Sequence, residues 1–192
     1  MPKLHLPKLR LPLPRSFRAQ LRRFGRSEGG TTAVEFAFVA APFFAFMFAI
    51  IEAAMVFFAG QVLETATQDS ARLILTGQAQ TGNFTQAQFK QAVCDRVYGL
   101  FDCSGGIYVD VKSYPSFSSI SISDPVDASG NFVNNFSYSP GNAGDIVVVR
   151  VFYQWPLFVT KLGFDLSDVK DSSGVKNRKL LASTVAFRNE PY

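Results

Sequence analysis

Residues 33–59, "AVEFAFVAAPFFAFMFAIIEAAMVFFA", are apolar apart from Glu35 and Glu52, and the sixteen residues 36–51 contain no polar side chain. No other stretch limits the chain so severely. A bilayer core takes about 20 helical residues, whereas apolar runs of about 10–14 suit a buried helix of a soluble protein. The segment therefore predicts a membrane-spanning helix. A cleaved secretory signal is the rival reading, and it requires a small-x-small site directly after the apolar core. The core instead ends in "MVFFAGQ", with Phe58 two residues before Gly60. Pro42 offers no N–H to the Phe38 carbonyl, which predicts a kink or loosening there.

Charge is unevenly spread. Residues 1–30 hold eight Lys/Arg against the single Glu28, while residues 31–192 hold eleven Lys/Arg against fourteen Asp/Glu. The basic character belongs to the leader, which excludes nucleic acid as a partner of the folded part. It places the N-terminus in the cytoplasm and the remainder outside. The only histidine, His5, is also in the leader. Without it, histidine-based acid–base chemistry, Ser–His–Asp triads and the usual zinc sites are lost. An enzyme is not expected. Asp124, Asp127 and Asp145 could form an acid/base pair in principle, but they stand in turn sequence. No cofactor or metal is expected.

Beyond the span, Ala59, Val62, Leu63, Ala66, Ser70, Leu73 and Ile74 recur at helical spacing, with polar residues on the other faces. Gly77 is a natural stop. One helix is predicted from about 33 to 76, half in lipid and half an amphipathic spine. A second is predicted over 86–99, opened by a Thr85/Gln88 capping box and striped by Phe89, Val93, Val97 and Leu100. Cys94 and Cys103 are the only cysteines. Outside the cytoplasm such a pair reads as a disulfide, with two buried thiols or half of a metal site as the alternatives.

The rest alternates in twos. Ile107, Val109 and Val111 oppose Tyr108, Asp110 and Lys112, and Ile120 and Ile122 share a side. Val147, Val149, Val151, Tyr153 and Trp155 form one face of a central strand ended by Pro156, and Leu181, Val185 and Phe187 mark a last strand. Four short strands packed on the projecting helix make an α+β fold with a small antiparallel sheet. The 124–145 loop carries Phe132, Phe136 and Tyr138, which either serve a partner or cover the sheet. Its "DASGN" lacks the spacing of a calcium loop and reads as a turn.

An ionisable group in a membrane helix usually signals function or a partner. A cut after Gly30 makes Thr31 the N-terminus and Glu35 the fifth mature residue, one turn from a new positively charged amine. A basic leader, Gly30, then "TTAVEF" with Phe36 next resembles the processing site of type IV prepilin-like proteins. The chain is most similar to TadE-like minor pseudopilins of the tight-adherence (Tad, type IVc) branch. Also similar are "ATQDSARLILTG" (66–77), "LLASTVAFRNEPY" (180–192) and the cysteine pair.

The resemblance implies cleavage between Gly30 and Thr31 by a prepilin peptidase and subunit docking through Glu35 and Phe36. It further implies partnership with other pilins and pseudopilins, the inner-membrane assembly platform and membrane lipid. The expected location is the bacterial inner membrane, single-pass, with the C-terminal domain periplasmic, whether retained there or incorporated in the pilus. The expected organisation is a cleaved leader (1–30), a helix (31–77) and an exported α+β domain (78–192). The implied role is assembly or priming of a pilus for surface adhesion. The alternative is a membrane-tethered binding module, a tip adhesin or scaffold using the 124–145 loop. Glu52 lies about 100° around the helix from Glu35. It either meets another subunit or polar helix, or lies at the outer interface.

Overall fold

The computed structural model describes residues 29–97, 99–158 and 165–192, Thr31 by its backbone alone. Residues 1–28 of the expected leader, with His5, lie outside the described residues. Helix α1 spans Gly29–Leu75, α2 Gln78–Thr81 and α3 Gln86–Cys94. Strands β1 (Ile107–Tyr114), β2 (Ile146–Pro156), β3 (Val169–Lys170) and β4 (Lys176–Arg188) form an antiparallel sheet in the order β1-β2-β4-β3. The architecture is α+β. Two compact units divide the chain, one ending at Met47 and the other covering Phe48–Tyr192.

Helix α1 runs through Pro42 without interruption. Within the second unit it buries Val56, Ala59, Leu63, Ala66, Thr67, Ser70, Ala71 and Ile74. Their three- and four-residue steps define one face of a 3.6-residue helix. Leu63 and Ile74, fully buried, each contribute about 1.5–3 kcal/mol through burial. The two polar members of this face are each satisfied by a backbone carbonyl. Thr67 donates to the Leu63 carbonyl at 2.7 Å and Ser70 to the Ala92 carbonyl of α3 at 3.3 Å.

The capping box opens α3 as its sequence predicts: Gln88 N–H donates to Thr85 Oγ1 and Thr85 N–H to Gln88 Oε1. The helix stops at Cys94, earlier than the expected 99. Tighter turns continue the chain, with Arg96 N–H bonded to Val93 O and Val97 N–H to Cys94 O. Those turns keep Val97 on the buried side with Phe89 and Val93, so the apolar stripe outlasts the α-helix that it suggested.

The inner sheet face supplies Ile107, Val109, Val111, Val147, Val149, Val151, Tyr153 and Leu181 to the same core. β2 is central and ends at Pro156, which cannot donate to the ladder. The strand expected around Ile120 and Ile122 is absent. Phe117–Ser119 instead forms a 3-10 turn, and Ile122 is exposed. Ser119 Oγ donates to Ser116 O at 2.7 Å and accepts from Ser116 N–H, so serine side chains take the backbone bonds that a ladder would use. The fourth strand is Val169–Lys170, too short for alternation to register.

The outer face carries a second, smaller core. Phe136 stacks on Phe152 at 5.1 Å, and Phe132 lies 4.8 Å from Tyr108. Register sets Asp110 directly opposite Arg150. Both are buried, at 1% and 4% exposure. Arg150 Nε and Nη2 donate to Asp110 Oδ2 at 3.1 and 2.6 Å, and Nη1 donates to Ser123 O at 2.7 Å. Asp110 Oδ1 accepts from Ser137 N–H at 3.0 Å. The loop thus covers the sheet, as one of the two sequence readings had it.

The same loop closes the β1 edge. Val111 N–H donates to Ser137 O and Ser139 N–H to Val111 O, both at 2.8 Å, while Gln86 Nε2 donates to Val109 O. Such cover removes a strand edge from intermolecular pairing. Tyr138 turns inward against Phe89, and burial pushes its phenol up to about 12.

The segment after β4 returns to the end of α1. Glu190 N–H donates to Leu75 O at 2.9 Å, and the Tyr192 ring lies over Gly77. Gly77 has φ +75°, and a Cβ there would lie 2.3 Å from a ring carbon. Only glycine meets both requirements without displacement. The stretches 66–77 and 180–192, distant in sequence, are thereby neighbours.

Candidate membrane helix and its carboxylates

The first half of α1 has apolar residues exposed on every side. Phe36 (71%), Phe38, Val39, Phe43, Phe44 and Phe46 are all exposed. An α-helix repeats its faces every 3.6 residues, so this set leaves no polar side. Among the described residues one helix, over 32–75, is long and apolar enough to cross a membrane.

Gly30 and Thr31 fall in the first turn of α1, and Glu35 is one turn further on, exposed beside Phe36. Glu52 is half-buried and accepts the backbone N–H of Phe158, just beyond β2. Its carboxylate therefore has an intrachain contact, which neither sequence reading anticipated. No local pattern signals it, because the donor lies in a distant part of the chain.

Cys94 and Cys103 are joined as a disulfide, tying the end of α3 to the turn before β1. The three loop carboxylates weighed for catalysis are engaged in turns. Asp124 Oδ1 accepts Val126 N–H, Asp127 accepts the N–H groups of Ser129 and Asn131, and Asp145 Oδ2 accepts Asn142 N–H. The bonds from Asn131 and then Ser129 hold the Asp127 carboxyl below its ordinary value. "DASGN" is an Asx turn closed by Gly130 at φ +81°. The Asp110–Arg150 pair escaped the sequence reading. Its one signal is opposite charge on the outward faces of two strands.

Among the described residues, one apolar helix that could span a membrane, followed by a small α+β domain, is consistent with the class of single-pass membrane proteins. Residues 30–72 match the family model described as TadE-like protein. That match lies within α1, and the similarity is consistent with a protein of the Tad pilus. Pilus proteins of the TadE-like family are generally structural. No curated protein and no solved structure matches the chain.

Proposed function

We propose that the chain is a minor pseudopilin that takes part in assembling or priming a Tad (type IVc) pilus for surface adhesion. The observation that carries this reading is the TadE-like helix itself, apolar and exposed on all sides in its first half and packed into a domain in its second. In this proposal prepilin peptidase cuts after Gly30 and leaves a positively charged amine on Thr31. That amine stands at the positive end of the helix dipole, where cations are disfavoured. A carboxylate one turn along, Glu35 of the same or an adjacent subunit, offsets it, and between subunits the pairing sets axial register.

The leader stays cytoplasmic and the domain periplasmic, with α1 in the inner membrane beside other pilins, pseudopilins and the assembly platform. The tip-adhesin or scaffold reading is less well supported, because the loop aromatics that it would use pack onto the sheet. Mass spectrometry of the mature chain tests the proposal. It should begin at Thr31; an intact Met1 or a start near Gly60 refutes it. Glu35→Ala should be inserted and processed yet impair piliation, and unchanged piliation removes the role assigned to that carboxylate.

A further inference from the structure

We propose that Phe158 forms a second membrane contact, seated at the boundary between headgroups and acyl chains of the bilayer that α1 crosses. The proposal rests on reading α1 as a membrane span. It concerns the unit Phe48–Tyr192 alone. In that unit the first turns of α1 expose Phe48, Ile50, Ile51, Met55, Phe57 and Phe58. Glu52 stands among them, and its carboxylate accepts the Phe158 N–H. The Phe158 backbone is therefore level with a lipid-facing stretch of helix, not with the packed spine that begins near Val56.

Depth follows from the helical rise. Phe58 is the last of the exposed apolar residues on α1. Glu52 is six residues before it, about 9 Å along the axis. Amphipathic elements at membrane surfaces bury their apolar side by about 5–10 Å. Phe158 suits that position: it is 87% exposed, while the adjacent Leu157 is buried and its N–H is bonded to Asn177 O at 3.0 Å. Leu157 is fixed to the domain and the next residue presents a bare aromatic ring.

Energetics favour the same arrangement. A carboxylate at membrane depth is costly unless paired, and so is a backbone N–H without an acceptor. Glu52 and Phe158 each relieve the other. Lipid is the occupant because the Phe158 backbone is bonded to Glu52, which stands among the exposed apolar residues of α1. A polar partner would gain nothing from it.

The full chain, reconstituted in phosphatidylethanolamine/phosphatidylglycerol vesicles, provides the test. Trp155 is the only tryptophan, so Trp155→Phe gives a silent background. Phe158→Trp and, separately, Phe46→Trp then report contact with lipid through quenching by brominated chains. Both should lose emission, with position 158 quenched more by bromine near the headgroup than by bromine near the chain end. Quenching at 46 but not at 158 overturns the proposal while leaving the span intact. Quenching at neither position overturns the span, and this inference with it. Quenching at 158 that emerges only when the protein is diluted in lipid assigns the ring to a second copy and also overturns the proposal.

Discussion

Replacing Arg150 with methionine should be among the most damaging single changes in the α+β domain. The Arg150→Met side chain fits a buried site, but it strands Asp110, which is 1% exposed. Asp110 Oδ2 loses donors at 2.6 and 3.1 Å and keeps Lys112 Nζ at 3.8 Å, while Oδ1 keeps the Ser137 N–H. Breaking one side of a buried pair costs about 3–5 kcal/mol. Half-exposed Lys112 supplies partial neutralisation, which puts the expectation at about 3 kcal/mol.

Removing both charges with Asp110→Val and Arg150→Met eliminates the stranded carboxylate. What remains is the loss of bonds to Ser123 O and Ser137 N–H, two exposed residues that water can reach. The double variant should sit about 1–2 kcal/mol below wild type. Trp155 packs on Phe101 at 5.9 Å and reports unfolding of the full chain in mild detergent. With a urea slope of about 1–3 kcal/mol per molar, the single variant should shift the midpoint by about 1–3 M. A cost below about 1 kcal/mol, or a double variant no more stable than the single, would falsify this account of the outer face.

Two further outcomes follow in the same assay. Cys94→Ser with Cys103→Ser opens a short loop, separation 9, and should cost about 2.5–3 kcal/mol; wild type treated with reductant should match it. Acid should weaken the domain progressively. Hydroxyl and backbone donors of Ser104, Ser167 and Ser173 hold Asp102, Asp165 and Asp171 below the ordinary 3.8, Asp171 down to about 2, and Asn131 does the same for Asp127. The unfolded chain therefore binds more protons just below pH 4, so this stability is complete above that pH and is lost as pH falls toward 2. Ser173→Ala should reduce the loss over that window, and an identical acid profile would rule out the Asp171 turn as a contributor.

Much of the molecule is legible along the chain, because hydrophobic period is a local property. The unbroken apolar run over 36–51 dictates a helix exposed on all sides, and the three- and four-residue steps after Ala59 dictate which side of its continuation is buried. Alternation in 107–111 and 147–155 selects the inner sheet face, and the Thr85/Gln88 pair opens α3. Each of these signals lies within one turn or one strand, so no knowledge of the remainder is needed. Where local patterns misled, a local competitor was at work. Serine hydroxyls at 116–119 replaced a strand, and tight turns after Cys94 preserved a stripe without a helix.

What could not be read in this way depends on pairs distant in sequence. Asp110 meets Arg150 because β1 and β2 adopt one register and not its neighbour, and a slip of one residue by β1 would send Asp110 into the apolar core and leave Arg150 without it. The strand β3 exists because β4 offers it an edge. Gly77 is required by a ring 115 positions away, and Glu52 meets an N–H that only the completed sheet brings alongside α1. Each such contact is a consequence of chain closure. Its partners carry no mutual signal in sequence, since neither residue needs the other until the rest of the domain has folded.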